Sequence, residues 1–228
     1  TENMSSYLRQ LLEKTAYTNY EILLPARFEN QINIQNDRLR YVSTETRHGM
    51  IQAAKGEYVA LLNAGLVPTK NDWLKELMNI GQQETSGLVT GRVVDARYRV
   101  ETVGVSVDTD KGRLLYPEKG TPGKSLGYYY RIALPRNIQA ATEDCLLFNK
   151  QLYLNLEGIN ENLGKEWMGV DLSLQFASAG KRNVYVSYAI LKADEKMQNH
   201  DKKGSYKELA EKWTAEALVD PYRNPKHL

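Results

Sequence analysis

Residues 57–63, EYVALLN, limit what this chain can fold into more than any other stretch. The run is almost wholly apolar, follows Gly56, and breaks into the polar sequence AGLVPTKND. Strands covered by helices on both faces read as such runs and not as alternation. Upstream, helix and strand signals take turns. Residues 5–15 place Leu8, Leu11 and Leu12 on one helical stripe, with Ser5 or Ser6 as cap. Residues 20–24 form a short apolar strand stopped by Pro25, and residues 39–43 form another. Residues 48–55 predict a short helix closed by Gly56, and residues 72–82 predict a helix after the central strand. Alternation sustained over about 80 residues predicts a doubly wound α/β domain.

The second half is less regular. Residues 89–95, 102–107 and 137–148 are strand-like, residues 151–158 and 170–180 helical, and residues 183–191 alternate as a strand. Residues 116–127, rich in Gly, Pro and Lys, predict a mobile loop. Residues 196–204 are charged and expected to be exposed, Lys202 and Lys203 among them as solvated groups. A last amphipathic helix is expected over residues 205–218, before the tail DPYRNPKHL.

Composition narrows the partners. A formal charge of +2 over 228 residues argues against a nucleic-acid binder, which shows a basic stripe. The single cysteine, Cys145, forbids an internal disulfide and suits a reducing compartment. In an apolar strand with acids beside it, its thiol is expected to be buried and inert. No apolar run reaches membrane-spanning length and no leader pattern opens the chain. A cytoplasmic domain is expected, with the inner face of the membrane left open as its place. Fifteen tyrosines stand against three phenylalanines, and Tyr128, Tyr129 and Tyr130 are consecutive. Such rings suit stacking on bases or sugars, or half-buried strand positions with wet hydroxyls, and the pattern leaves both readings open.

Several segments, in order, resemble family 2 glycosyltransferases, in particular those that build bacterial surface polysaccharides. YLRQLLEKTAYTNYEILL is similar to the family's opening helix and strand, and AAKGEYVALLN to its "AAxGEYLLLLNxD" strand. NDWL matches "PDWLEEL", and TEDCLLFNKQLYLNLEGINENL resembles "xGACLLVRREAFEEVGGFDExF". GVDLSLQFASAGKRNVYVSYAIL is similar to "DVDLCLRLRxAGYRVVYVPxAxL", and DPYRNPKHL to a "DPYYNPNL" tail. The resemblance implies a GT-A-like fold: a doubly wound, mixed, mostly parallel sheet flanked by helices. A nucleotide-binding half would span about residues 1–95, an acceptor half about 96–204, and a C-terminal helix and tail 205–228. It further implies a first strand ahead of the opening helix, expected upstream in a longer protein or supplied by a partner domain.

The implied chemistry is transfer of sugar from a nucleotide-sugar donor to a polysaccharide or lipid-linked glycan. An Asp would hold the base, a D-x-D-like motif would place Mg2+ or Mn2+ on the diphosphate, and an acidic pair would deprotonate the acceptor. Here the matching positions read Pro25-Ala26-Arg27, Asn63-Ala64-Gly65 and Met168-Gly169, all without a carboxylate. No metal ligand is assigned. Cationic and polar groups are the remaining candidates for the nucleotide-sugar: Arg27, Arg47, His48 and Asn63. For catalysis the nearest acids are Glu166 and Asp171, with Glu143 and Asp144 as a further acidic pair. Losing the acids of three loops at once predicts a degenerate site. The alternative to a transferase is a GT-A-like module that binds glycan or assembles with a catalytic partner.

Overall fold

The computed structural model describes residues 2–193 and 206–223. Expectations for residues 196–204, with Lys202 and Lys203, and for the last five residues of the tail lie outside them. The chain opens with helix α1 (Glu2–Glu13), strand β1 (Ile22–Pro25), a 3-10 turn (Ala26–Phe28) and β2 (Leu39–Val42). Helix α2 (Arg47–Ala53), β3 (Tyr58–Leu62), β4 (Leu66–Pro68), α3 (Trp73–Gly81) and β5 (Ser86–Val94) follow. Then come β6 (Val100–Thr102), β7 (Ser106–Asp108), β8 (Arg113–Leu115), a 3-10 turn (Tyr128–Tyr130), β9 (Arg136–Asn137) and β10 (Cys145–Asn149). Helices α4 (Lys150–Leu154) and α5 (Lys165–Ser178), strand β11 (Arg182–Ala193), and helices α6 (Tyr206–Lys212) and α7 (Ala215–Leu218) complete the described chain.

The architecture is an α/β mixed sheet flanked by helices. The main sheet runs β3-β10-β5-β11-β4, with β6 on β5 and β9 on β11. Strands β3, β5 and β11 share one direction, while β10, β4, β6 and β9 run against them. Strands β1 and β2 pair parallel in a sheet of their own. The early alternation therefore builds two sheets. Expected strand β3 sits at an edge of the main one and is only half-buried, whereas β5 is buried throughout. Among the described residues no strand pairs with the outer edge of β3.

One face of the sheet buries Val89, Val93, Leu147 and Val186 against α1 and α3, through Tyr7, Leu8, Trp73 and Leu77. The other buries Leu88, Leu146, Phe148 and Tyr185 against Leu172 and Phe176 of α5. Helix α5 is buried all round from Trp167 to Phe176, because Trp167, Met168, Val170 and Leu174 pack on Leu209 and Leu218 of the C-terminal helices. A helix enclosed in this way needs no amphipathic stripe.

Local differences from the sequence expectations have local causes. The expected loop after β3 contains β4, which ends at Pro68 and lies at a sheet edge where a missing N–H is tolerated. Gly104, at φ +97, splits the expected 102–107 strand. The last helix breaks at Trp213, and Thr214 caps α7 by accepting from the Ala217 N–H.

Candidate functional site

Four loops meet beside the end of β3. Arg27, in the turn after β1, pairs with Glu45 just ahead of α2. Arg47, at the first turn of α2, donates from Nε to Glu143 Oε1 at 2.5 Å, and its backbone N–H donates to Glu161 at 2.6 Å. Asn63, which follows β3, donates its backbone N–H to the Asp144 carbonyl at 2.9 Å and its side-chain amide to Oδ1 at 3.4 Å. Thr142 closes on the other Asp144 oxygen at 2.6 Å. Thus Arg47 and Asn63 converge on the adjacent Glu143 and Asp144, which act as hubs, while Arg27 and Glu45 form an exposed pair of their own.

Helix α5 seals this cluster from below. A Cβ on Gly169 would sit 2.5 Å from the Ala141 carbonyl oxygen, 2.7 Å from the Thr142 carbonyl carbon and 2.8 Å from the Glu143 nitrogen. These are backbone atoms, so they cannot swing aside. The vacancy at the acidic-pair position is therefore filled space and not an empty socket. The gap ringed by Arg47, Leu61, Glu143, Met168 and Gly169 does not admit a water molecule. On a second loop, Gly65 holds φ +99, a conformation that favours glycine.

The remaining candidates lie apart. His48 shares its Nδ1 with the Tyr153 hydroxyl at 2.9 Å, and that hydroxyl also takes the Ile159 N–H at 3.2 Å. This imidazole braces α2 on α4 and does not face the Asp144 hub. Asp171 is fully buried. Its carboxylate accepts from Trp213 Nε1 at 2.7 Å, Gln175 Nε2 at 2.8 Å and Lys212 Nζ at 2.8 Å. Burial opposes the Lys212 charge, but the Asp171 and Glu157 carboxylates outweigh it and raise its pKa. Asp171 therefore clamps α6 onto α5. Its carboxylate oxygens are taken up by these three donors.

Glu166 sits in the first turn of α5, where the helix dipole favours a carboxylate. Burial, and then the neighbouring Glu166, push the Tyr116 hydroxyl pKa far above that of a free tyrosine, with Asp144 and Glu101 adding to the effect. The Tyr116 hydroxyl thus feels both Glu166 and Asp144. Its position as the first residue of the expected mobile loop gave no sign of this. Glu161, the acid that caps the α2 amide, was likewise invisible in sequence. Cys145, at the start of β10, is buried and its thiol is pushed up to about 12, mainly by that burial, which leaves it unreactive.

A divalent cation on a donor diphosphate takes one or two carboxylates with free lone pairs beside the phosphate oxygens. Among the described residues no three His, Cys, Asp or Glu side chains form a group that could hold a metal ion. Glu143 is tied to Arg47, and Asp144 to Thr142 and Asn63. The residues present do not fit such an ion.

The structure resembles a mannosyltransferase of Pyrobaculum calidifontis in complex with GDP-Man and Mn2+, with a TM-score of 0.55 at 14% identity over 88% of this chain and 55% of that one. It equally resembles GalNAc-T7 with UDP, GalNAc and Mn2+, at a TM-score of 0.55 and 14% identity over 76% of this chain and 37% of that one. The fold is that of GT-A glycosyltransferases. In sequence, the chain is 23% identical over 248 residues to the uncharacterized protein y4gI of Sinorhizobium fredii, covering 96% of this chain and 27% of that protein. No protein-family model matches. The chain thus spans about a quarter of the curated relative and about half or less of the two solved GT-A structures.

Proposed function

We propose that this chain is a GT-A module that has given up metal-assisted sugar transfer and serves glycan binding or assembly with a catalytic partner domain. One observation carries the reading: backbone occupies the space that the acceptor-activating acid would need at Gly169. The closed Arg47–Glu143 contact and the engaged Asp144 support it. A role within a longer polypeptide of surface-polysaccharide assembly, at the inner face of a membrane, belongs to the same proposal. The length of the relative and the unpaired edge of β3 are its support.

Thermal-shift titration with GDP-mannose, UDP-GalNAc and dTDP-glucose, with and without Mn2+, tests the proposal. A ligand bound at a hundred times its Kd stabilises by about 2.7 kcal/mol, a shift that is easily seen. The expected result is no shift with any donor. A saturable, Mn2+-dependent shift would overturn the reading.

A second reading keeps transfer alive with Glu166 as base. Its support is the place of that carboxylate in the first turn of α5, beside the buried Tyr116 hydroxyl. Donor hydrolysis that disappears in Glu166→Gln, at unchanged stability, would select it.

A further inference from the structure

The segment 119–136, KGTPGKSLGYYYRIALPR, is unlike the rest of the surface. It holds four cations and no acid, so it carries +4 where the whole chain carries +2. Its base is fixed from beneath. The buried Arg92 of β5 donates from Nη1 to the Gly123 carbonyl and from Nη2 to the Ile132 carbonyl, each at 2.6 Å. The Tyr185 hydroxyl donates to the same Ile132 carbonyl at 2.8 Å, and the Ile132 side chain is wholly buried. Gly127, at φ +74, lets Ile132 pack so closely that a Cβ there would stand 2.7 Å from Cγ1.

On this fixed base the apex is apolar and turned to solvent. Leu126 is 54% exposed, Tyr128 49%, Tyr129 82%, Tyr130 55% and Leu134 51%. Tyr129 and Tyr130 hold φ +47 and +61, a conformation that favours glycine and asparagine over aromatic residues. Backbone strain of this kind persists where surrounding contacts impose it and clusters at sites of use. Neither Lys124 nor Arg131 pairs with a carboxylate among the described residues.

We propose that the 122–135 loop is a membrane-docking element that sets its tyrosines and leucines into the interface of an anionic bilayer. Tyrosine prefers the headgroup level, where its ring is buried and its hydroxyl wet. Leu126 and Leu134 flank the rings as the part that enters the acyl boundary. Lys124 and Arg131 meet lipid phosphates, and apolar burial plus charge together supply the two signals that reversible anchoring needs. A sugar platform would set acids or amides beside the rings to bind hydroxyls. Residues 119–136 contain neither, and the carboxylate of Glu118 just ahead of them is taken up by the Tyr128 N–H at 3.0 Å. The proposal deepens the membrane placement given above but is independent of sugar transfer, so either can fail alone.

The test is co-sedimentation of the whole chain with vesicles of phosphatidylcholine alone and with added phosphatidylglycerol, at low and high salt. Binding is expected only with the anionic lipid, weakened by salt. Lys124→Gln with Arg131→Gln should weaken it about 30-fold, at about fivefold per cation. Tyr129→Asn with Tyr130→Asn removes two rings while fitting the left-handed backbone, so binding should fall at least about tenfold while the melting temperature holds or rises. Leu126→Ser with Leu134→Ser should act in the same direction. No binding to anionic vesicles, or binding equal in all variants, overturns the proposal. So does saturable, variant-sensitive binding of cello-, chito- or malto-oligosaccharides in place of vesicles. Concentration-dependent dimerisation abolished by the same substitutions overturns it as well.

Discussion

The cluster beside β3 and the tyrosine loop are opposites. At the cluster, polar side chains are turned on one another: Arg27 on Glu45, Arg47 on Glu143, Asn63 on Asp144. At the loop, rings and leucines that a folding chain ordinarily buries are held outward by a buried arginine and isoleucine. Such a cluster is well packed by itself, because satisfied polar groups stabilise whether or not a ligand comes. An exposed apolar apex has no such internal reward, and its retention against strain points to an outside partner.

Substitutions can break or sharpen this contrast. The largest effect is expected from Gly169→Asp, which puts a carboxylate where backbone already stands. It should destabilise by about 4 kcal/mol or prevent folding, since overpacking and an unpaired buried carboxylate act together. A stable Gly169→Asp protein that binds donor would show the cluster to be open and would end the contrast. Next, Asp171→Ala strips the buried partner from Lys212 and Trp213, at a cost of about 3 kcal/mol in urea unfolding. A loss below about 1 kcal/mol would return Asp171 to the list of groups free for other work.

Arg47→Ala, which leaves Glu143 largely buried without its cation, should cost about 1–2 kcal/mol and open the gap above Gly169. If donor binding then emerges, the Arg47–Glu143 contact is what closes the cluster. Tyr129→Asn should by contrast leave stability unchanged or raise it by about 0.5–1 kcal/mol. A clear loss would mean that the ring packs inward.

The smallest effect concerns the Glu21–Arg40 pair that ties β1 to β2 beneath the cluster. Its hydrogen bond to Arg40 holds the Glu21 pKa below the usual carboxylate range. The pair's contribution is therefore full above the unfolded pKa and lost as pH falls through the folded one. Melting temperature should drop slightly below about pH 4.5, and Arg40→Gln should flatten that part of the curve.

Much of the frame was legible beforehand. The runs at residues 57–63 and 183–191 are strands β3 and β11, although β3 lies half-buried at a sheet edge where its apolar run had predicted a covered position. The absence of a carboxylate at Ala26, Gly65 and Gly169 was legible as residue type. What could not be read was the partner of each remaining group. His48 and Tyr153 are 105 positions apart, and Asp171 and Trp213 are 42 apart, so only chain closure reveals who satisfies whom. Residues 116–127 looked like punctuation because Gly and Pro signal turns, yet the Arg92 that fixes them lies on a distant strand.

By itself the sequence determined the order of elements, the fold they serve and the absence of acids at three loops. These are local properties of periodicity and residue identity. The tertiary structure alone decided that the Gly169 position is filled, that Asp171 is a clamp, and that three tyrosines stand in solvent. Each of these depends on which distant backbone or side chain occupies the neighbouring volume, and close packing allows only one occupant.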